Sequence, residues 1–129
     1  MKKVIHKELS FKICGLLYDV HNELGRYRNE KQYADKFEFL LVKNGIKYKR
    51  EYGLPPSFNN EKKGRSICDF IIEDKIIIEF KASKFLLRDD YFQMKRYLIA
   101  LNLELGILVN FRQKYLTPKR ILNGDYYKK

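Results

Sequence analysis

The stretch that most constrains this chain is Ile67-Cys-Asp-Phe-Ile-Ile-Glu-Asp-Lys-Ile-Ile-Ile-Glu-Phe-Lys-Ala82. Two runs rich in β-branched residues, 67–72 and 76–82, flank the polar break Glu73-Asp74-Lys75. That is the pattern of a β-hairpin closed by a short loop. Strands this apolar belong in the interior of a sheet, yet they carry Asp69, Glu79 and Lys81. Side chains alternate along a strand, so Glu79 and Lys81 share a face with Ile77. If the loop residues are unpaired, Ile72 faces Ile76. Counting back then sets Asp69 directly opposite Glu79, near enough for both carboxylates to hold one ion. Two carboxylates and an ammonium on an apolar hairpin are costly unless something compensates them. A divalent cation does so, because one or two carboxylates completed by waters and substrate phosphates is the usual way of holding Mg²⁺. The alternative that needs no ion is an exposed hairpin face with a cross-strand Glu–Lys pair.

Charge narrows the partner. The chain has 27 Lys and Arg against 16 Asp and Glu, a formal +11, which points to a polyanion, nucleic acid first and an anionic membrane surface second. The competing reading is that the lysines only keep the protein in solution. With 129 residues the chain reads as a single domain, 1–129, able to bury a core, and 45% apolar content excludes a disordered composition. Ten Tyr and nine Phe without a Trp fill an interior and leave some ring faces outside. Cys14 and Cys68 lie in apolar segments without C-x-x-C spacing, as core thiols of a reducing compartment do. No apolar run approaches the ~18 residues of a membrane span, and the N-terminus lacks a signal peptide's apolar stretch, so a cytoplasmic location is expected.

The remaining elements follow from periodicity. Leu9, Ile13, Leu16, Leu17, Val20 and Leu24 make a helical stripe that stops at Gly25, with His21 near its end as a packing or capping residue. Asn29 and Gln32 form a capping box for a second helix whose buried stripe is Tyr33, Ala34, Phe37, Leu40 and Leu41. Glu30 sits in its first turn, where a carboxylate suits the helix dipole. Segment 46–52 alternates as a half-exposed strand with Lys47, Lys49 and Glu51 outside, and 53–66 is a turn-rich excursion. After the hairpin a third helix spans roughly 89–101, with Leu87, Tyr91, Met94, Leu98 and Leu101 inward and Gln93 and Tyr97 one turn apart on an adjoining face. Leu105 to Phe111 is a strand covered on both sides. The basic stretch from about 112 holds an edge strand at 119–122 and is otherwise expected to fray.

From Glu30 onward this order is α-β-β-β-α-β, with one helix in front. It resembles the common core of the PD-(D/E)xK nucleases, a restriction-endonuclease-like α/β fold with a mixed central sheet flanked by helices. More closely, the chain resembles the GxxExxR family of that superfamily. The resembling residues are Val20-His-Asn-Glu-Leu-Gly25, Glu30 with Tyr33, Gly45-Ile46, Asp69, Glu79-Phe-Lys-Ala82, Gln93-x-x-x-Tyr97-Leu98 and the run from Leu105 to Phe111. The resemblance implies that Asp69 and Glu79 bind Mg²⁺ or Mn²⁺ and that Lys81 is the catalytic lysine. It implies that Glu30 adds to the metal or water network, and that Gln93 and Tyr97 contact substrate or support the site. Tyr27 and Tyr33 stand where the family name places Gly and Arg, and Cys68 stands for the superfamily's Pro before the Asp. The implied activity is metal-dependent hydrolysis of DNA or RNA phosphodiesters. Lys84, Arg88, Lys95 and Arg96 are the candidates for holding the phosphate backbone without reading sequence. Two other readings stay open: a nuclease-like module that grips nucleic acid without cutting, and a small interaction subunit, a homodimer included, that pairs through its aromatic surface.

Overall fold

A computed structural model describes residues 4–124 and 126, and two helices open it. α1 (Lys7–Leu24) buries Ile13, Leu16, Leu17 and Val20 and ends at Gly25, whose φ of 77° a residue without Cβ adopts easily. α2 (Glu30–Lys43) starts at the expected capping box. Asn29 Oδ1 accepts the Gln32 N–H at 2.9 Å, and Gln32 Oε1 accepts the Asn29 N–H at 3.0 Å. Then follow β1 (Tyr48–Gly53), β2 (Ile67–Ile72), β3 (Ile76–Lys81), α3 (Arg88–Leu101), β4 (Leu105–Asn110) and β5 (Lys119–Leu122).

The strands form one mixed sheet in the order β1-β2-β3-β4-β5, parallel between β3 and β4 and antiparallel elsewhere. The two hairpin strands therefore lie inside it, as their apolar runs require. Their register is Ile72↔Ile76, Ile71↔Ile77 and Phe70↔Ile78. Glu73 and Asp74 turn the loop with φ of 54° and 55°. Helices cover both faces. On one, Ile13, Leu17 and Val20 of α1 and Tyr33, Phe37 and Leu41 of α2 pack on Phe70, Ile72, Ile78, Phe80, Ile107 and Val109. On the other, Met94, Tyr97 and Leu98 of α3 pack on Cys68, Ile71, Ile77, Leu108 and Ile121. The first layer is rich in rings: Tyr33 stacks on Phe111 at 4.2 Å, and Phe37 meets Phe70 edge-on at 5.0 Å. In the second, α3 lies so close to β4 that a Cβ on Gly106 would run into the Met94 thioether.

Two expectations need correction. The stretch after Phe111 does not fray through 122. Leu116 and Ile121 are buried anchors, and two arginines of the stretch bond backbone carbonyls elsewhere in the chain. Arg26 Nε donates to the Arg112 carbonyl at 2.9 Å and Arg112 Nε to the Arg26 carbonyl at 3.0 Å. Arg120 donates to the Ile5 carbonyl at 2.8 Å, and His21 Nε2 lies 2.8 Å from the Gln113 carbonyl. Residues 125 and 127–129 of the expected tail lie outside the described residues. Leu87, expected to face inward, is 63% exposed, and Tyr97, at 6%, takes the inner place. The reason is that Leu87 is the N-cap of α3, its N–H donating to Asp90 Oδ2 at 2.8 Å, so it stands outside the helical stripe.

Candidate active site

Backbone pairing between β2 and β3 runs up to Phe70↔Ile78, and the next opposed pair is Asp69 and Glu79, as counting from the loop predicts. There the side chains take over the strand-to-strand bonds. The Asp69 N–H donates to Glu79 Oε1 at 3.0 Å, and the Phe80 N–H donates to Asp69 Oδ2 at 2.7 Å. Each carboxyl is thus held by the backbone of the facing strand. Glu79 is buried at 5% exposure and Asp69 is half-buried. Burial, reinforced by the Asp69 charge, pushes the Glu79 carboxyl up to about 9. Burial raises Asp69 too, against the Phe80 N–H bond that lowers it. The interaction between the two side chains opposes the rise at Asp69 and adds to it at Glu79, so Glu79 is the carboxyl that holds its proton to higher pH.

Lys81, two residues beyond Glu79, reaches α3, where its Nζ lies 3.6 Å from Asp90 Oδ1. Asp90 uses its other oxygen on the Leu87 N–H, so one carboxylate fixes both the helix start and the lysine. Glu30, the first residue of α2, lies near enough to Lys81, Asp69 and the Ala82 backbone for each to act on its carboxyl. Desolvation raises its pKa, Lys81 opposes the shift and Asp69 adds to it. The four expected residues therefore gather at the end of the sheet where β2 begins and β3 ends.

Two further acids join them. Asp90 reads in the sequence as an ordinary first-turn helix acid, and only the position of Lys81 gives it a second partner. Glu51 is exposed on its strand, as the alternation of 46–52 predicts, but its φ of 51° is left-handed in the middle of β1, between the pairs Arg50↔Phe70 and Tyr52↔Cys68 and therefore opposite Asp69. It lines a cleft of about 160 Å³ together with Glu30, Lys31, Arg50 and Asp69, and its charge helps raise Asp69. No sequence signal marks a non-glycine residue for that conformation.

The other expected contacts separate. Tyr97 is buried, its hydroxyl 3.5 Å from the Ile67 carbonyl, and its phenol is pushed up to about 12 by burial and then by Glu79. It supports the floor beneath the carboxylates. Gln93 is half-buried on the same helix. Lys84 and Arg88 are exposed beside the start of α3, while Lys95 and Arg96 are exposed farther along it. Arg96 lines a separate groove with Pro55, Pro56 and Ile99. The thiol of buried Cys68 is raised to about 12 by burial and by Glu79, which makes it inert. The larger groove of about 450 Å³ along α1 and Arg120 contains none of these acids.

Among the described residues, no three His, Cys, Asp or Glu side chains converge closely enough to hold a metal unaided. What the site offers is the Asp69 carboxylate on the wall of the cleft, with the buried Glu79 carboxyl facing it across the hairpin. Among those residues, too, no helix is long and apolar enough to cross a membrane.

A family model described as the PD-(D/E)XK nuclease superfamily matches residues 7–121. No curated protein matches the chain. Among solved structures, the crystal structure of SSO0001 is similar, with a TM-score of 0.54 and 21% identity over 85% of this chain. The match spans 65% of the SSO0001 chain. A likeness at that identity speaks for the fold, a mixed sheet between helices.

Proposed function

The chain belongs to the PD-(D/E)XK nuclease superfamily, and from that membership we propose that it is a metal-dependent nuclease hydrolysing nucleic-acid phosphodiester bonds. One observation carries the reading: Asp69 and Glu79 face each other in a desolvated site where burial disfavours both charges and a cation would favour them. Two facing carboxyls suit a hard ion such as Mg²⁺ or Mn²⁺, the kind superfamily nucleases typically use. Asp69 and Glu79 would hold such an ion, which would supply Lewis-acid polarisation of the phosphate and a more acidic water. The chain's own residues do the rest. Glu79 would release its proton to solvent and serve as a ligand. Lys81 orients the attacking water or meets the negative charge that grows on the phosphate, and Asp90 holds its ammonium in place. Glu30 faces the same end from α2 and adds a carboxylate to the water network. The collinear series from Val20 to Phe111 supports a place in the GxxExxR family.

A second reading, a nuclease-like module that binds without cutting, is favoured by Tyr33. Standing where the family name places Arg, it is fully buried, with its hydroxyl donating to the Gly25 carbonyl at 2.7 Å, so it brings no cation to Glu30. One experiment separates the readings: DNA and RNA substrates incubated with Mg²⁺, Mn²⁺ or EDTA, comparing wild type with Asp69→Ala. Metal-dependent cleavage should collapse in the variant while binding in metal-free buffer persists. Undiminished cleavage by Asp69→Ala would overturn the assignment, and no cleavage by the wild type leaves the binding module.

A further inference from the structure

Three loops meet at the end of the sheet that carries Asp69, Glu79 and Lys81, two leaving β3 and β4 and one joining α1 to α2, and each sets a cation beside an exposed ring. In the α1–α2 loop the Arg26 guanidinium lies 5.3 Å from the centroid of Tyr27. In the β3–α3 loop Lys84 Nζ lies 5.5 Å from Phe85, and in the β4–β5 loop Lys114 Nζ lies 5.4 Å from Tyr115. Tyr27, Phe85 and Tyr115 are 78%, 68% and 76% exposed, so most of their area is left outside the fold.

The common location follows from topology. β3 and β4 are parallel, so their C-terminal loops emerge side by side, and the Phe111 N–H donates to the Lys81 carbonyl at 2.9 Å. The buried Asn110 side chain clamps the two loops, accepting the Ser83 N–H at 3.2 Å and donating to the Ser83 carbonyl at 2.8 Å. The reciprocal Arg26–Arg112 bonds fasten the α1–α2 loop to the same place. The rings are thus presented by anchored loops.

Single exposed aromatics are ordinary. Three of them, each beside a cation and all on loops at the end of the sheet that carries the acids, supply the two things an unpaired strand needs: positive charge for phosphates and flat faces for bases. A continuous duplex turns its phosphates outward and keeps its base faces stacked, so it could engage the cations and leave the rings idle. We propose that this rim binds unpaired nucleic acid, with bases stacking on Tyr27, Phe85 and Tyr115 and phosphates meeting Arg26, Lys84 and Lys114. The substrate class of the cleft is then a single strand, loop or frayed end. The inference rests on the nuclease reading in taking nucleic acid as the ligand.

The test is done in EDTA, where no chemistry is required, on the full chain. Labelled single-stranded DNA, single-stranded RNA and a blunt duplex of equal length are titrated by fluorescence anisotropy. Single strands should bind about tenfold or more tightly than the duplex, since stacking on each ring contributes a factor of about five or more. Tyr27→Ala/Phe85→Ala/Tyr115→Ala should lose that advantage while keeping its duplex affinity. The DNA and RNA arms show which strand the rim prefers. The chain has no Trp, so Tyr115→Trp or Tyr27→Trp installs a lone reporter whose emission an unpaired strand should quench. Equal affinity for duplex and single strand, or full single-strand affinity in the triple variant, would overturn the proposal. Quenching without metal-dependent cleavage would sink the nuclease reading alone. Asp69-dependent cleavage with no ring dependence would sink the rim alone.

Discussion

Replacing Glu79 with glutamine should stabilise the metal-free protein, by an amount that grows with pH. Burial and the Asp69 charge raise the Glu79 carboxyl from 4.5 to about 9. Between those values the folded chain keeps a proton that the unfolded chain has lost, so folding weakens by about 1.4 kcal/mol for each unit of rising pH. The stabilisation due to that proton is complete below the unfolded value and is gone once pH passes the folded one. At pH 7 the chain is about 2.5 units into this window, which places it about 3 kcal/mol below a neutral side chain of the same shape. Glutamine is that shape: its oxygen can accept the Asp69 N–H as Glu79 Oε1 does, and its amide can donate to the Asp69 carboxylate. Urea unfolding of both proteins in EDTA at several pH values from 5 to 8 reads the difference. The variant should lead by about 1 kcal/mol at pH 5 and about 3 kcal/mol at pH 7. Adding Mn²⁺ should stabilise the wild type and leave the variant nearly unmoved. A difference that stays constant across this range would show that Glu79 holds no such proton, and the argument for the carboxylate pair would fail with it.

Metal binding should release nearly one proton at pH 7, read by calorimetry with Mn²⁺ in two buffers of different ionisation enthalpy. Apparent affinity should rise about tenfold per pH unit and level off near 9, where Glu79 ionises unaided. A flat profile would count against Glu79 as a ligand. In the fold itself, Gly106→Ala would push a methyl into fully buried Met94, and such overpacking should cost about 1–3 kcal/mol of stability by thermal or urea unfolding. Combining it with Met94→Ala should destabilise less than the sum of the two single changes, since each makes room for the other.

The opposition of Asp69 and Glu79 is legible in the sequence because one loop determines it. Once 73–75 are unpaired, every pair back to the site is set, and a one-residue slip would have sent the carboxylates to opposite faces. The apolar runs at 67–72 and 105–111 likewise disclose strands covered on both sides. Other parts carry no such period. Leu116 and Ile121 are two anchors in a polar stretch, too sparse to announce that the stretch is bound down. Tyr97 sits on an adjoining face of its helix by periodicity alone. How far α3 rolls onto the sheet is decided by the absent Cβ of Gly106 opposite Met94, a contact between distant segments. Asp90 acquires its partner only when the end of β3 is brought beside the start of α3.

Glu51 is the least legible residue and the most telling about the site. A left-handed backbone at a non-glycine residue costs about 1–3 kcal/mol, and here it carries a carboxylate to the cleft that already holds Asp69 and Glu30. In the metal-free protein that placement opposes folding twice, through strain and through the repulsion that helps raise Asp69. The surroundings must hold it against both. They do so through β3, where Ile76, Ile77 and Ile78 are wholly buried, and through Arg50, which donates to Asp35 at 2.7 Å and to Glu38 at 3.0 Å and so ties β1 to α2 next to the strained residue. Strain and like charge then reside at the same end of the sheet, and a cation arriving there relieves the electrostatic part. The apolar interior of the sheet supplies the stability that the acidic end gives up, which is why a hairpin this hydrophobic can carry so many ionisable groups.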